Sequence, residues 1–274
     1  MASQYPLTRI RKEVDSCIEI WKTVLEDWFP VELEYAYAKG SCIKLWDSPI
    51  DYVPILSDVD IHIKQVNNIY PFENSFNGFK DALKLSEVYE DRFLEMHPDP
   101  LHIPRTQIVR VDPHLDDPEF VLPWSREQIR PMFGKPQLSE PPIHDQLRDI
   151  DLRNLLEQEE ALKSLPMSAC DRTGLDAWVL IRRLNWRVSP TPVRLLSQMV
   201  DPSHVWHWNR TRICKELEKH GYTDLSETSR HYYMAGWEMF TTGFNDSKSM
   251  WQVLSYAYRV LEASVRYAKE LNAA

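Results

Sequence analysis

Glycine is scarce in this chain: seven residues in 274, no two of them at Gly-x-Gly spacing. That excludes the Rossmann dinucleotide fingerprint, which needs closely spaced glycines so that backbone can approach a pyrophosphate. The one Gly-Ser pair, Gly40-Ser41, is preceded by Lys39, the wrong order for a Gly-Lys-Ser/Thr phosphate loop. Cysteine is equally thin. Cys17, Cys42, Cys170 and Cys214 form no Cys-x-x-Cys pair, so reduced thiols are expected rather than a disulfide framework or a zinc knuckle. No stretch approaches the roughly 20 consecutive apolar residues of a membrane helix. The opening MASQYPLTRIRKEVDS lacks the apolar core of a signal peptide, and a cytoplasmic chain with no membrane partner is the expectation. Basic runs are missing too. Lys and Arg total 32 against 41 Asp and Glu, a formal charge of −9, which favours small neutral or cationic partners over a nucleic-acid backbone.

What is present reads as an ordinary globular chain, 43% hydrophobic and 27% charged, of a length that suits two modest domains. From Pro6 to Trp28, the residues Ile10, Val14, Cys17, Ile18, Trp21, Val24, Leu25 and Trp28 recur at the three-and-four spacing of one helical face. After Pro30 the period falls to two: Val31, Leu33, Tyr35 and Tyr37 predict a strand ending at Lys39-Gly40-Ser41. A second strand is predicted over 57–64, with Val59, Ile61 and Ile63 on one face and Asp58, Asp60, His62 and Lys64 on the other. A helix over about 75–96 counts Phe76, Phe79, Leu83, Val88 and Phe93 among its apolar positions, and a third strand is expected over 106–112. Prolines 131, 136, 141 and 142 interrupt regular structure and mark the domain boundary. Helical patterns then occupy about 143–164, 168–187, 191–199, 202–220, 226–242 and 247–272. The organisation expected is an α/β unit over 1–140 and a helical domain over 141–274.

Two carboxylates one residue apart on a strand project from the same face, and leaving two anions together is costly unless a cation neutralises them. On an amphipathic strand such a pair is often merely solvated. Here Asp58 and Asp60 follow a strand that leads into Gly40-Ser41, where a small residue lets backbone N–H groups and a hydroxyl approach phosphate oxygens. Downstream, Arg110-Val111-Asp112 supplies another carboxylate, with Asp116 and Asp117 as rivals.

Taken together, YAKGSCIKLW, then SDVDIHI, then RVDPHL resemble the DNA polymerase β-like nucleotidyltransferase superfamily. Its pattern is an apolar strand, Gly-Ser, a loop, Asp-x-Asp between apolar residues, and a third Asp. The resemblance covers the N-terminal half, and the loop from Ser41 to Asp58 is somewhat long and carries two prolines. It implies an α+β fold, a nucleotidyltransferase-like mixed sheet with flanking helices followed by an α-helical domain. It also implies transfer of a nucleoside monophosphate from a triphosphate such as ATP to an acceptor hydroxyl, with pyrophosphate released. Asp58, Asp60 and Asp112 would be the catalytic and metal-binding residues, holding two Mg²⁺ ions. Gly40, Ser41 and Lys44 would contact the nucleotide.

The layout is similar to small-molecule nucleotidyltransferases of the aminoglycoside-modifying type, and a small-molecule acceptor leads on acidity and layout. An RNA 3′ end or a protein side chain is the second acceptor class, with Arg182, Arg183, Arg187, Arg210, Arg212 and Lys215 as its available cations. A catalytically degenerate binding or regulatory module is the non-enzyme alternative, which gains if no acidic group completes the site. His62, the pair His204 and His207, the run Trp206-His207-Trp208 and Tyr232-Tyr233 are weaker candidates, expected chiefly to pack or to face solvent.

Overall fold

Helix α1 (Leu7–Trp28) buries Ile10, Val14, Cys17, Ile18, Trp21, Val24 and Leu25, the stripe that its sequence period predicts. Each such side chain contributes roughly 1.5–3 kcal/mol on full burial. The computed structural model describes residues 5–68, 71–115, 117, 120, 122–172 and 174–273. By its contacts the chain divides into two units, the first made of Met1–Ile43 and Ser57–Glu140, the second of Lys44–Leu56 and Pro141–Ala274.

The first unit is a mixed α/β layer. Strands β1 (Leu33–Lys39) and β2 (Val59–Gln65) pair antiparallel. Helix α2 (Phe76–Met96) follows β2, and β3 (Thr106–Arg110) then lies parallel to it. Parallel neighbours need such a crossover. Ser75 caps α2 by accepting a hydrogen bond from the Gly78 N–H at 3.1 Å. Strand β4 (Ile129–Gly134) closes the order β3-β2-β1-β4 by pairing antiparallel with β1.

On one face of the sheet Ala36 and Ala38 stand opposite Ile63 and Ile61, and α1 packs on β2, β4 and α2, with Trp21 stacked on Tyr89 at 4.8 Å. On the other face Tyr35, Tyr37, Val111 and Ile129 form a second cluster, against which Phe120, Leu122 and Leu138 pack.

Three expectations differ from this unit. Val31 is 74% exposed and lies before β1. Strand β4 runs through Pro131, which sequence patterning takes as an interruption; an edge strand tolerates a residue without an N–H. Phe76, Phe79 and Leu83 are exposed, because α2 turns Leu85, Tyr89 and Phe93 inward instead.

The second unit is helical: α3 (His144–Leu156), α4 (Gln158–Cys170), α5 (Ala177–Val188), α6 (Thr191–Ser197), α7 (Pro202–Val205), α8 (Arg210–Lys219), α9 (Thr223–Thr241) and α10 (Ser247–Ala273). The expected helix over 202–220 is divided by Asn209, whose side chain accepts from the Arg212 N–H and starts α8 afresh. The segment 44–56, placed by sequence reading within the α/β half, belongs here for a specific reason. Buried Asp51 accepts hydrogen bonds from the Thr211 N–H and hydroxyl, both at 2.8 Å. Asn185 donates to the Leu56 carbonyl at 2.7 Å, and the Trp237 indole donates to the Pro49 carbonyl at 2.7 Å. No helix among the described residues is long and apolar enough to cross a membrane.

Candidate active site

The Gly-Ser turn and the Asp-x-Asp strand meet at one corner of the first unit. β1 ends at Lys39, whose register partner across the sheet is Asp60. Gly40 then takes φ +82° and opens a short 3₁₀ turn, Gly40–Cys42. A Cβ at Gly40 would lie 2.4 Å from Asp60 Oδ2, so only glycine admits this approach of backbone to carboxylate. The turn is held from behind. Arg11 donates to the Cys42 carbonyl at 2.7 Å, and the Cys42 thiol donates to the Lys39 carbonyl at 2.9 Å. Burial first, and then the Asp60 charge, push that thiol well above the ordinary range, so Cys42 is a structural thiol and not a nucleophile. Ser41 is half-buried in the same turn.

Asp58 immediately precedes β2 and its carboxylate accepts a hydrogen bond from Arg105 Nη2. Arg105 immediately precedes β3, and its carbonyl accepts from the Val59 N–H at 2.8 Å, so the parallel ladder itself sets the two side chains together. Lys39 is held below the ordinary lysine range by burial, against the pull of Asp60. The two acids therefore share their corner with two cations, Arg105 and Lys39.

One rung further along the same face, Tyr37 stands opposite His62, with its hydroxyl 3.2 Å from His62 Nδ1. Phe120 stacks on the imidazole and His114 stacks on Phe120. Burial, reinforced by the Lys39 and His114 charges, lowers the His62 pKa to about 3, so the ring is neutral and part of the core cover.

The structure does not bring Asp112 to the aspartate pair. In the parallel register Asp60 stands beside Gln107, and Asp112 lies five residues beyond Gln107, about 16 Å along the strand direction at roughly 3.3 Å per residue. There Asp112 Oδ2 accepts from the Gln65 N–H at 3.1 Å and Oδ1 lies 3.4 Å from Lys64 Nζ. Lys64 also reaches Glu34 at 3.2 Å. The assignment of Asp112 as a third metal ligand is thereby corrected: parallel register, which a motif does not reveal, decides the neighbour, and that neighbour is the amide Gln107. Asp116 lies outside the described residues, and Asp117 is exposed beyond the turn that follows Asp112.

Lys44 belongs to the second unit, where its ammonium donates to the carbonyls of Trp206 and Trp208, each at 2.9 Å. Several of the C-terminal cations are likewise engaged within that unit. Arg210 donates to the Ile50 carbonyl and lies 4.1 Å from the Tyr233 ring centroid, Arg182 donates to the Ile55 carbonyl, and Arg212 lies 4.0 Å from the Trp208 ring centroid. Tyr232 and Tyr233 are buried, and His204 pairs with Asp201 at 3.8 Å. Motif reading misses Arg105, Lys39 and Gln107. Lys39 is legible as the residue beside Gly-Ser, whereas the other two need the strand register.

As a donor set, Asp58 and Asp60 suit a magnesium ion, which is commonly held by one or two carboxylates and completed by phosphate oxygens and water. Among the described residues no group of three His, Cys, Asp or Glu side chains gathers to hold a metal. In comparisons with known proteins, no family model, no curated protein and no solved structure matches the chain.

Proposed function

We propose that Gly40, Ser41, Asp58 and Asp60 form the triphosphate site of a nucleotidyltransferase that moves a nucleoside monophosphate to an acceptor hydroxyl. The observation that carries this reading is the close apposition of the Gly40 backbone to the Asp60 carboxylate. A glycine turn beside an acid pair is the arrangement that lets phosphates and their cation be gripped together. In the reaction the acceptor oxygen bonds to the α-phosphorus, the α–β bridging bond breaks, pyrophosphate leaves and the hydroxyl proton passes to solvent. Gly40 and Ser41 offer backbone and hydroxyl hydrogen bonds to phosphate, while Asp58 and Asp60 would hold Mg²⁺. When bound, that ion neutralises charge on the triphosphate and orients it. Gln107 can orient a hydroxyl but cannot take its proton. A small-molecule acceptor is preferred over RNA on the net charge of −9.

A second reading, a nucleotide-binding module without transfer activity, is favoured by Gln107 at the position beside Asp60 and by the Arg105 contact to Asp58. Incubating the protein with each α-labelled triphosphate and Mg²⁺, against pools of small molecules, tRNA and protein, separates the two. Transfer is expected, and Asp58→Asn or Asp60→Asn should reduce it on the order of a thousandfold. Triphosphate binding without label transfer selects the module, and absence of binding removes both.

A further inference from the structure

Arg105 is held on one side only. Its Nη2 reaches the Asp58 carboxylate, its Nε is buried without a hydrogen-bond partner among the described residues, and its side chain remains 35% exposed. A buried N–H of a guanidinium without an acceptor is unfavourable, and the planar fork is built to engage two oxygens at once. Lys39, the register partner of Asp60 and within its electrostatic reach, is a second cation at this corner. A triphosphate with Mg²⁺ brings net negative charge to a place where Arg105 is already engaged by Asp58. A guanidinium that turns from the carboxylate to the phosphates compensates that charge.

We propose that Arg105 is a triphosphate-binding residue kept in reserve by Asp58. It leaves that carboxylate when Asp58 takes up a divalent cation, and turns its fork to phosphate oxygens. The proposal rests on the triphosphate reading of the site and adds one residue and one exchange to it. It makes opposite predictions for two ligands, which a purely structural ion pair does not. As the resident counter-ion, Arg105 competes with a divalent cation for Asp58. As a phosphate ligand, it helps the nucleotide.

The test is calorimetric titration of the full chain and its Arg105→Gln variant, first with Mn²⁺ alone and then with Mg·ATP. The variant should bind Mn²⁺ about tenfold more tightly and Mg·ATP about tenfold more weakly, the size one charge-assisted hydrogen bond commands. Weakening of both ligands, or no change in either, overturns the exchange while leaving the triphosphate site standing. Failure of the wild-type chain to bind Mg·ATP removes the site and the exchange together. If Arg105→Gln does not fold, Arg105→Lys carries the test, since it keeps the charge and loses the fork. That variant should bind Mn²⁺ like the wild type and Mg·ATP several-fold more weakly, and unchanged Mg·ATP affinity contradicts the proposal.

Discussion

The polar face of β2 has two ends, and each gathers acids and bases in a different way. At its start Asp58 and Asp60 sit beside a glycine turn, with Arg105 and Lys39 as neighbours. At its far end Asp112 is enclosed by the Gln65 N–H and Lys64, with only 2% of its side-chain surface exposed. Between them the His62 and Tyr37 rung is roofed by Phe120. The difference lies in what backbone does around the carboxylate. Asp112 is satisfied by a main-chain donor of the strand it caps, a structural bond that would cost desolvation to break. Asp58 is met instead by a side-chain cation, the half-exposed Arg105, and Asp60 by a glycine turn beside it. Charge count alone does not separate the two ends; a main-chain donor to Asp112 and a side-chain donor to Asp58 do.

The largest expected effect tests the closed part of the face. Folded His62 titrates near 3, below its ordinary value of 6.5, so the unfolded chain binds more protons between those values. Its contribution to stability is fully present above pH 6.5 and is lost as pH falls toward 3, at most about 5 kcal/mol from this group. His62→Gln, which keeps a hydrogen-bonding group for Tyr37, should unfold with a flatter pH dependence across that window in urea titrations. Parallel acid limbs for wild type and variant would show that the histidine is not held neutral by the fold.

A smaller effect sharpens the open end. Gly40→Ala should cost about 1–2 kcal/mol from the left-handed backbone and, by pushing on Asp60 Oδ2, should weaken Mg·ATP binding as well. Gly221→Ala is the control, because Gly221 has φ +85° but nothing within 4 Å of the place a Cβ would take. It should lose comparable stability and no nucleotide affinity. Equal affinity in both variants would separate the turn from the nucleotide.

Much of this is legible without coordinates. The stripe Ile10, Val14, Cys17, Ile18, Trp21 announces α1, and the alternation through Val59, Ile61 and Ile63 announces β2, because burial on one side imposes a period. Strand β4 is not legible, since Pro131 argues against a strand until the chain's place at a sheet edge is known. Nor is the exposure of Phe76, Phe79 and Leu83, because an apolar residue does not declare whether its helix turns it inward. In the candidate site, Gly40, Asp58 and Asp60 are local features of sequence and stand out as such. Asp112 is misplaced by its motif because RVDPHL is an acid after a strand in sequence, whereas its neighbour across β2 depends on parallel register. Arg105 and Gln107 come to the site by that same register. The segment 44–56 escapes sequence reading for a related reason: its partners, Thr211, Asn185 and Trp237, are more than 120 residues away in the chain.

The most direct measurement is a calorimetric titration of Mg·ATP into the wild-type chain, Asp60→Asn and Asp112→Asn under one buffer. Asp60→Asn should lose at least about tenfold in affinity. Asp112→Asn should keep wild-type affinity while giving up about 1–3 kcal/mol of stability, the cost of an impaired buried hydrogen-bond group. Equal loss of affinity in both variants, or none in Asp60→Asn, would contradict the division of labour between the two ends of β2.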